Sequence, residues 1–99
     1  MARFDVFANH EGSGYMLDVQ ADLLDHLNTR VVIPLLPRNQ SPKAAQRLNP
    51  VFVIAGEEVV MMTQFIATVP CRILPIPIAN LQGERDSIVN AIDFMLQGF

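Results

Sequence analysis

The spacing of apolar residues along this chain changes once, near residue 80, and that change restricts the possible folds more than any other feature. Before it, short segments such as Arg3–Ala8 and Arg30–Leu36 alternate apolar with polar residues or are rich in β-branched residues, a pattern typical of strands. After it, apolar residues recur at helical intervals within residues Leu81–Phe99: Leu81, Ile88, Ile92, Met95 and Phe99. We therefore predict about five to seven strands and one C-terminal helix, an α+β fold that is mostly β, with a strongly bent antiparallel sheet.

Turn residues divide the strand region into hairpins. Two glycines among residues 9–14 predict a turn that makes residues 3–20 the first hairpin. The dipeptide Ala55-Gly56 predicts a tight turn within a second hairpin over residues 51–63.

Prolines indicate where strand pairing becomes irregular, because proline has no N–H to donate. Pro34 therefore predicts an edge, a bulge or the end of the strand that begins at Arg30. Pro75 and Pro77 lie within the apolar run Cys71–Ile78, which is predicted to be an irregular edge strand.

Two segments carry no strand pattern. Ala21–Asn28 has the apolar pair Leu23-Leu24 between two aspartates, which predicts a tight turn or a single 3₁₀ turn. Residues 37–50 concentrate prolines and polar residues, which predicts a loop with one helical turn at Lys43–Arg47.

The composition indicates that part of the apolar surface meets another protein. Hydrophobic residues make up 51% and charged residues 17% of the 99 residues. We expect one domain over residues 1–99, and a domain of this size buries only about 60–65% of the surface of its unfolded chain. The surplus of apolar side chains therefore predicts a subunit interface or a partner-binding surface. The same composition excludes intrinsic disorder, and the apolar runs are far too short for a transmembrane helix.

Charge and cysteine content exclude further classes. The net charge of −3 makes the chain a poor candidate for non-specific binding to a phosphate backbone. The N-terminal residues contain no apolar signal-peptide region, so we expect a cytoplasmic protein. The single cysteine, Cys71, cannot form an intrachain disulfide.

The residue types used in catalysis are few and scattered. His10 and His26 could act as general acids or bases, but exposed loop histidines are the favoured interpretation. Cys71 is interpreted as a small buried hydrophobe rather than a nucleophile. The loop Gly12–Gly14 does not match a phosphate-binding motif and is interpreted as a hairpin tip.

Three aspartates could in principle form a metal site or a carboxylate pair. Asp18, Asp22 and Asp25 are spaced four and three residues apart, but a solvated turn with local capping by aspartate is the favoured interpretation. With no His pair of ligand spacing and no cysteine cluster, we expect neither a metal nor a cofactor.

The chain ends on an aromatic residue, Phe99, whereas termini are usually frayed and polar. An apolar terminus after a helix either packs on the protein's own sheet or contacts a partner, and the sequence leaves both alternatives open.

Along residues 4 to 99 the chain resembles the CcdB family, toxins of bacterial toxin–antitoxin pairs that serve in plasmid maintenance. The resemblance lies in the order and spacing of several stretches, ending on Gly98 next to the last residue: residues 18–25 (DVQADLLD), 30–35 (RVVIPL), 61–63 (MMT), 68–70 (TVP) and 90–95 (NAIDFM).

This resemblance implies a fold and a function. The fold would be the SH3-like sheet with a C-terminal helix that CcdB shares with MazF-type toxins, and the protein would be a homodimer. It would be a topoisomerase poison, not an enzyme: it would bind the DNA gyrase A subunit and hold gyrase in its complex with cleaved DNA. A cognate antitoxin of the CcdA kind would neutralise it through a flexible segment that folds on binding, and would take part in transcription autoregulation.

The resemblance also implies where gyrase binds, namely at the turn after the second strand and at the end of the helix. The matching positions in this chain are Leu23, Leu24, Asp93, Leu96, Gln97, Gly98 and Phe99. Some relatives have an aromatic residue where this chain has Gln97, which cannot supply the cation–π contact with a gyrase arginine, a contact worth about 0.5–2 kcal/mol.

Two alternatives remain open. MazF-type toxins share this fold and cut RNA, so an endoribonuclease is possible, although five candidate cations form no obvious cluster in the sequence: Arg3, Arg30, Arg38, Lys43 and Arg47. The third possibility is a dimeric interaction module that has lost its target, which the presence of Gln97 keeps open.

Overall fold

The computed structural model describes residues 1–9, 12–41 and 45–98. The hypotheses that concern His10, Lys43 and Phe99 therefore lie outside the described residues. In the part described, seven strands precede one helix: β1 Asp5–Ala8, β2 Tyr15–Asp18, β3 Thr29–Pro37, β4 Val51–Ile54, β5 Glu57–Met61, β6 Ala67–Pro70, β7 Ala79–Asn80 and α1 Arg85–Gln97. The fold prediction is confirmed: the protein is mostly β, with a nearly closed antiparallel sheet and one C-terminal helix.

Both predicted hairpins are present. β1 pairs antiparallel with β2, and β4 with β5, in the sheet order β4-β5-β3-β2-β1-β7. Ala55 and Gly56 have φ values of +51° and +80°, the positive angles that a tight turn between twisted strands requires. The turn residues thus set the register, in which Ile54 pairs with Glu57.

β3 is the longest strand, and its outer edge changes partner near Pro34. Its first half, residues 29–32, pairs with β6, whereas residues 35–37 pair with β5. Pro34 pairs with Met16 on β2, and its carbonyl accepts a hydrogen bond from the Met62 N–H at 2.9 Å. The N–H and C=O of a strand residue point to the same side. The N–H that Pro34 lacks would therefore lie between the residues of β3 that pair with β6 and those that pair with β5. The prediction that Pro34 marks an edge, a bulge or a strand end was therefore wrong.

The prediction of an edge strand at Cys71–Ile78 was also wrong. Cys71–Ile73 forms a 3₁₀ turn, and the segment after it has no strand geometry until β7. Leu74 is buried, and the Ile78 N–H donates to the Val6 carbonyl at 2.8 Å. Pro75 and Pro77 lack the N–H groups that a ladder needs, and the pairing with β3 is made just before them by β6, which the apolar pattern did not predict.

The predicted helix is confirmed, but it begins later than expected. Residues 82–84 form a 3₁₀ turn, and Leu81 packs on the core from outside α1. Ile88 and Ala91 are the helix residues buried against the sheet. Gly98 ends the helix in the left-handed conformation, φ +79°, and its N–H donates to the Phe94 carbonyl at 2.8 Å, as the C-terminal glycine predicted.

Both faces of the sheet are covered. The larger cluster, which contains Val6, Leu17 and Ile33, receives the helix. The smaller cluster lies on the alternate residues of the same strands and joins Phe7 and Val32 to Leu74. No helix within the described ranges is long and apolar enough to span a membrane.

Candidate functional site

The turn between β2 and β3 exposes an unusual amount of apolar surface. Asp22–Leu24 is one 3₁₀ turn, as predicted, and every residue from 21 to 28 is exposed. Leu23 is 88% exposed, and Leu24 and Leu27 are 44% and 42% exposed. We call residues 21–28 the leucine turn. Three exposed leucines in eight residues form an apolar patch of the kind that marks a contact with a partner.

The turn is nevertheless well ordered by hydrogen bonds. The N–H groups of Leu24 and Asp25 donate to the carbonyls of Ala21 and Asp22, at 2.9 and 3.1 Å. The Asp22 carboxylate accepts a hydrogen bond from the Arg3 N–H at 2.8 Å. Arg3 lies 19 residues earlier in the chain, and the 3₁₀ turn itself has no side-chain cap, so the prediction of local capping by this aspartate was wrong. The leucines are nevertheless held on a defined backbone.

The C-terminal end of α1 is the second exposed region. Leu96 is 72% exposed, and Asp93, Gln97 and Gly98 are also exposed. Leu96 lies four residues after Ile92, so the two side chains share one face of the helix. This end of the helix therefore carries an apolar side chain that the sheet does not cover.

A groove of about 410 Å³ connects the leucine turn to the helix. Its apolar walls include Leu24 and Leu27 from the turn, Val31 from β3, Ile66 before β6 and Ile92 from the helix. The structure thus brings Leu24 to the same groove as the helix face that leads to Leu96. This proximity depends on tertiary packing and has no signal in the sequence.

Asp93 lies on a different side of the helix. It lines a polar cleft together with Arg47, Ser87 and Asn90. The Arg47 guanidinium carbon lies 4.5 Å from the centroid of the Phe94 ring, within cation–π range. The structure therefore does not place Asp93 in the groove beside Leu24.

The four candidate arginines within the described ranges are engaged separately. Arg30 pairs with Asp18, Arg38 pairs with Glu58, and Arg3 and Arg47 lie over the Phe4 and Phe94 rings. They do not converge on one pocket, in agreement with the scattered positions in the sequence; Lys43 lies outside the described residues.

A buried ion pair was missed by the sequence analysis. Asp18 and Arg30 are 0% and 1% exposed, whereas Asp18 was interpreted as part of a solvated turn. Arg30 Nε and Nη2 lie 2.8 and 2.6 Å from Asp18 Oδ2, and the Gln20 N–H donates to Oδ1 at 3.0 Å. Asp18 and Arg30 are each a charged residue in an otherwise apolar strand, which was the available signal in the sequence. Only the pairing of β2 with β3 shows that the two residues are partners.

Burial raises the pKa of the Asp18 carboxyl above its ordinary value. The nearby charge of Asp5 acts in the same direction, while the Gln20 N–H and the Arg30 guanidinium act against it. Asp18 Oδ2 is engaged by Arg30 and Asp22 Oδ1 by the Arg3 N–H, so the two carboxylates have separate partners. No group of three metal-ligating side chains occurs among the residues that the structure describes.

The remaining candidates differ in exposure. His26 is exposed, in agreement with the favoured interpretation. Cys71 is only half-buried, and its Sγ lies 3.5 Å from the Leu27 carbonyl oxygen, so the prediction of a buried small hydrophobe was wrong. The thiol packs at the rim of the leucine turn because the 3₁₀ turn after β6 places it there.

The family model described as CcdB protein matches residues 3–98. The chain therefore belongs to the CcdB family and is a toxin of a toxin–antitoxin pair. Family membership also supports a toxin that is not itself a catalyst, with an antitoxin as a partner.

Proposed function

We propose that this CcdB-family toxin binds the DNA gyrase A subunit and holds gyrase in its complex with cleaved DNA, and that its cognate antitoxin neutralises the toxin in the cytoplasm. Gyrase poisoning is typical of the family. We further propose that residues 1–99 act as one toxin domain, that the protein is a homodimer, and that its binding surface comprises the turn and helix positions named above: Leu23, Leu24, Asp93, Leu96, Gln97, Gly98 and Phe99.

The observation that carries the proposal is the exposure of the leucine turn and the helix end. Leu23 and Leu96 are 88% and 72% exposed on ordered backbone. Burying one leucine side chain is worth about 1.5–3 kcal/mol. A partner that covers both side chains gains this energy with little ordering cost, since the backbone is already held.

Poisoning of this kind requires no bond chemistry from the toxin. A ligand shifts an equilibrium toward the state that it binds more tightly. A toxin that contacts the gyrase A subunit better when the DNA is cleaved would raise the population of that state. The apolar side chains supply affinity, while the exposed Asp93 carboxylate and Gln97 amide are suited to polar contacts at the rim.

We expect the protein to be a dimer at micromolar concentration. Hydrophobic residues make up 51% of the chain, more than a core of this size buries, and a second copy would cover part of the remainder. Light scattering should give twice the chain mass of 11.0 kDa. A monomer mass under those conditions would contradict the dimer without bearing on the gyrase contact.

Replacement of Leu23 by aspartate is expected to weaken gyrase poisoning by at least about 30-fold, the effect of a hot spot of about 2 kcal/mol. Purified protein is added to gyrase, supercoiled DNA and ATP, and linear, protein-linked DNA is measured after denaturation. Leu23 is 88% exposed, so the variant should fold like the wild type.

Val53→Asp is the matched control, because Val53 is 62% exposed on β4 and lies outside the proposed surface. Equal loss in both variants would argue against the leucine turn as a gyrase contact. Absence of cleaved DNA with the wild-type protein would overturn the proposed function, and degradation of RNA in a parallel reaction would support the endoribonuclease instead.

A further inference from the structure

We propose that Gln20 is a positioning residue that holds the leucine turn in its binding conformation. The identity of the target rests on the proposed function, whereas the effect on the turn does not. Gln20 lies between β2 and the turn and is 6% exposed, so its side chain cannot contact a partner directly. It acts through the residues that it fixes.

Both ends of the Gln20 amide are used, and they connect two elements. Nε2 donates to the Leu24 carbonyl at 2.9 Å, and Oε1 accepts from the Val31 N–H at 3.0 Å. These two bonds join the turn that carries the exposed leucines to the start of β3. They also fix the orientation of the amide, because only its NH₂ group can donate to a carbonyl.

The Gln20 side chain replaces a missing bond of the sheet. Val19 and Val31 continue the pairing of β2 with β3, and the Val19 N–H donates to the Val31 carbonyl at 3.0 Å. In a regular antiparallel pair the Val31 N–H would donate in turn to the Val19 carbonyl. That carbonyl instead accepts a hydrogen bond from Arg3 Nε at 3.1 Å. Gln20 Oε1 takes the Val31 N–H, and the sheet thereby passes into the turn without an unpaired buried donor.

The backbone of Gln20 is itself fixed from the opposite side. Its N–H donates to Asp18 Oδ1 at 3.0 Å, and Asp18 Oδ2 is held by Arg30. A continuous set of hydrogen bonds therefore runs from the buried ion pair through Gln20 to the Leu24 carbonyl. We infer that this set determines where the turn points, since the apolar packing of Leu24 and Leu27 in the groove is only partial and leaves them 44% and 42% exposed.

The test compares Gln20→Met, which retains the length of the side chain but loses both hydrogen bonds, with the wild type. Hydrogen exchange is measured at the amides of Leu24, Asp25 and Leu27, and affinity is measured for the purified gyrase A subunit. We expect turn exchange to accelerate by about tenfold or more, with exchange in α1 unchanged, and gyrase affinity to fall about tenfold.

Two further variants separate positioning from loss of stability. Val59→Ala opens a cavity in the larger core cluster, where Val59 is 0% exposed, and should lower stability without changing turn exchange or gyrase affinity. Ala21→Pro is a rescue, because Ala21 has φ −59°, the angle that proline imposes. Added to Gln20→Met, it should restore most of the gyrase affinity without restoring the hydrogen bonds.

Unchanged turn exchange in Gln20→Met would overturn the proposal, as would a loss of affinity that Val59→Ala reproduces. Failure of the wild-type protein to bind the gyrase A subunit would instead overturn the proposed function and the assigned target. Faster turn exchange would still show, in that case, that Gln20 holds the turn.

Discussion

Deletion of Gln97, Gly98 and Phe99 is expected to abolish gyrase poisoning and to leave the protein folded. The deleted segment follows the last residues of α1 that pack on the sheet, and Gln97 and Gly98 are exposed. Ile88 and Ala91, the buried residues of the helix, remain. The fold loses the hydrogen bond from the Gly98 N–H to the Phe94 carbonyl, which is worth about 1 kcal/mol.

The expected loss of binding is much larger. Binding energy is concentrated in a few residues, and truncating such a residue costs about 2–4 kcal/mol, or about 30- to 1000-fold in affinity. The measurement is the concentration of toxin that traps cleaved DNA, with circular dichroism and dimer mass as controls for folding. Antitoxin binding should persist, because a wrapping disordered segment uses an extended surface.

Replacement of Gln97 by tryptophan is the matched gain-of-binding variant, since it restores an aromatic surface for a gyrase arginine. Trapping of cleaved DNA by the truncated protein at wild-type concentrations would contradict the assigned surface. Unfolding of the truncated chain would show instead that the terminal residues belong to the core, which is the other alternative for an apolar terminus.

The parts of the fold that the sequence predicted are those controlled by local backbone geometry. Ala55-Gly56 and Gly98 occupy positions with positive φ, and the hairpin and the helix end follow from them. β6 was missed because Ala67 and Thr68 are both exposed and the strand therefore lacks an alternating pattern. The role of Pro34 depends on two strands that meet the same edge of β3, which no local pattern contains.

In the candidate site, too, the local features could be predicted from the sequence and the tertiary contacts could not. The sequence predicted that Leu23 and Leu24 lie in a turn, and the resemblance added the end of the helix. That Leu24 shares a groove with Ile92 depends on the packing of α1 beside β3. The interaction of Gln20 with the leucine turn depends on the register of β2 and β3, in which Leu17 pairs with Ile33, so the hydrogen bonds that fix the turn could only be found in three dimensions.

Replacement of Arg30 by methionine is expected to lower the free energy of unfolding by about 3–5 kcal/mol at pH 7, because it leaves the Asp18 carboxylate buried without its cation. Among the residues that the structure describes, Arg30 Nη2 has no polar partner besides Asp18 Oδ2, which lies 2.6 Å away, so the arginine charge is compensated by this one carboxylate. Urea unfolding at a fixed chain concentration measures the loss. Arg38→Met is the control, since Arg38 and Glu58 are 60% and 58% exposed and such pairs are worth about 0–1 kcal/mol.

The difference in the free energy of unfolding between Arg30→Met and the wild type should become smaller as the pH falls. Burial already raises the pKa of Asp18 above its ordinary 3.8 in the wild type, with Asp5 adding to the effect and Arg30 opposing it. Loss of Arg30 removes an opposing charge, so the folded variant binds a proton at a still higher pH than its unfolded chain does. A folded-state pKa above the unfolded value contributes stability that is fully present below the unfolded pKa and is lost as the pH rises through the folded pKa.

The free energy of unfolding, measured at pH 7 and near pH 4.5, should therefore differ less between variant and wild type at the lower pH. An equal difference at both values would show that the lost side-chain packing of Arg30, rather than the uncompensated carboxylate of Asp18, is what destabilises the variant.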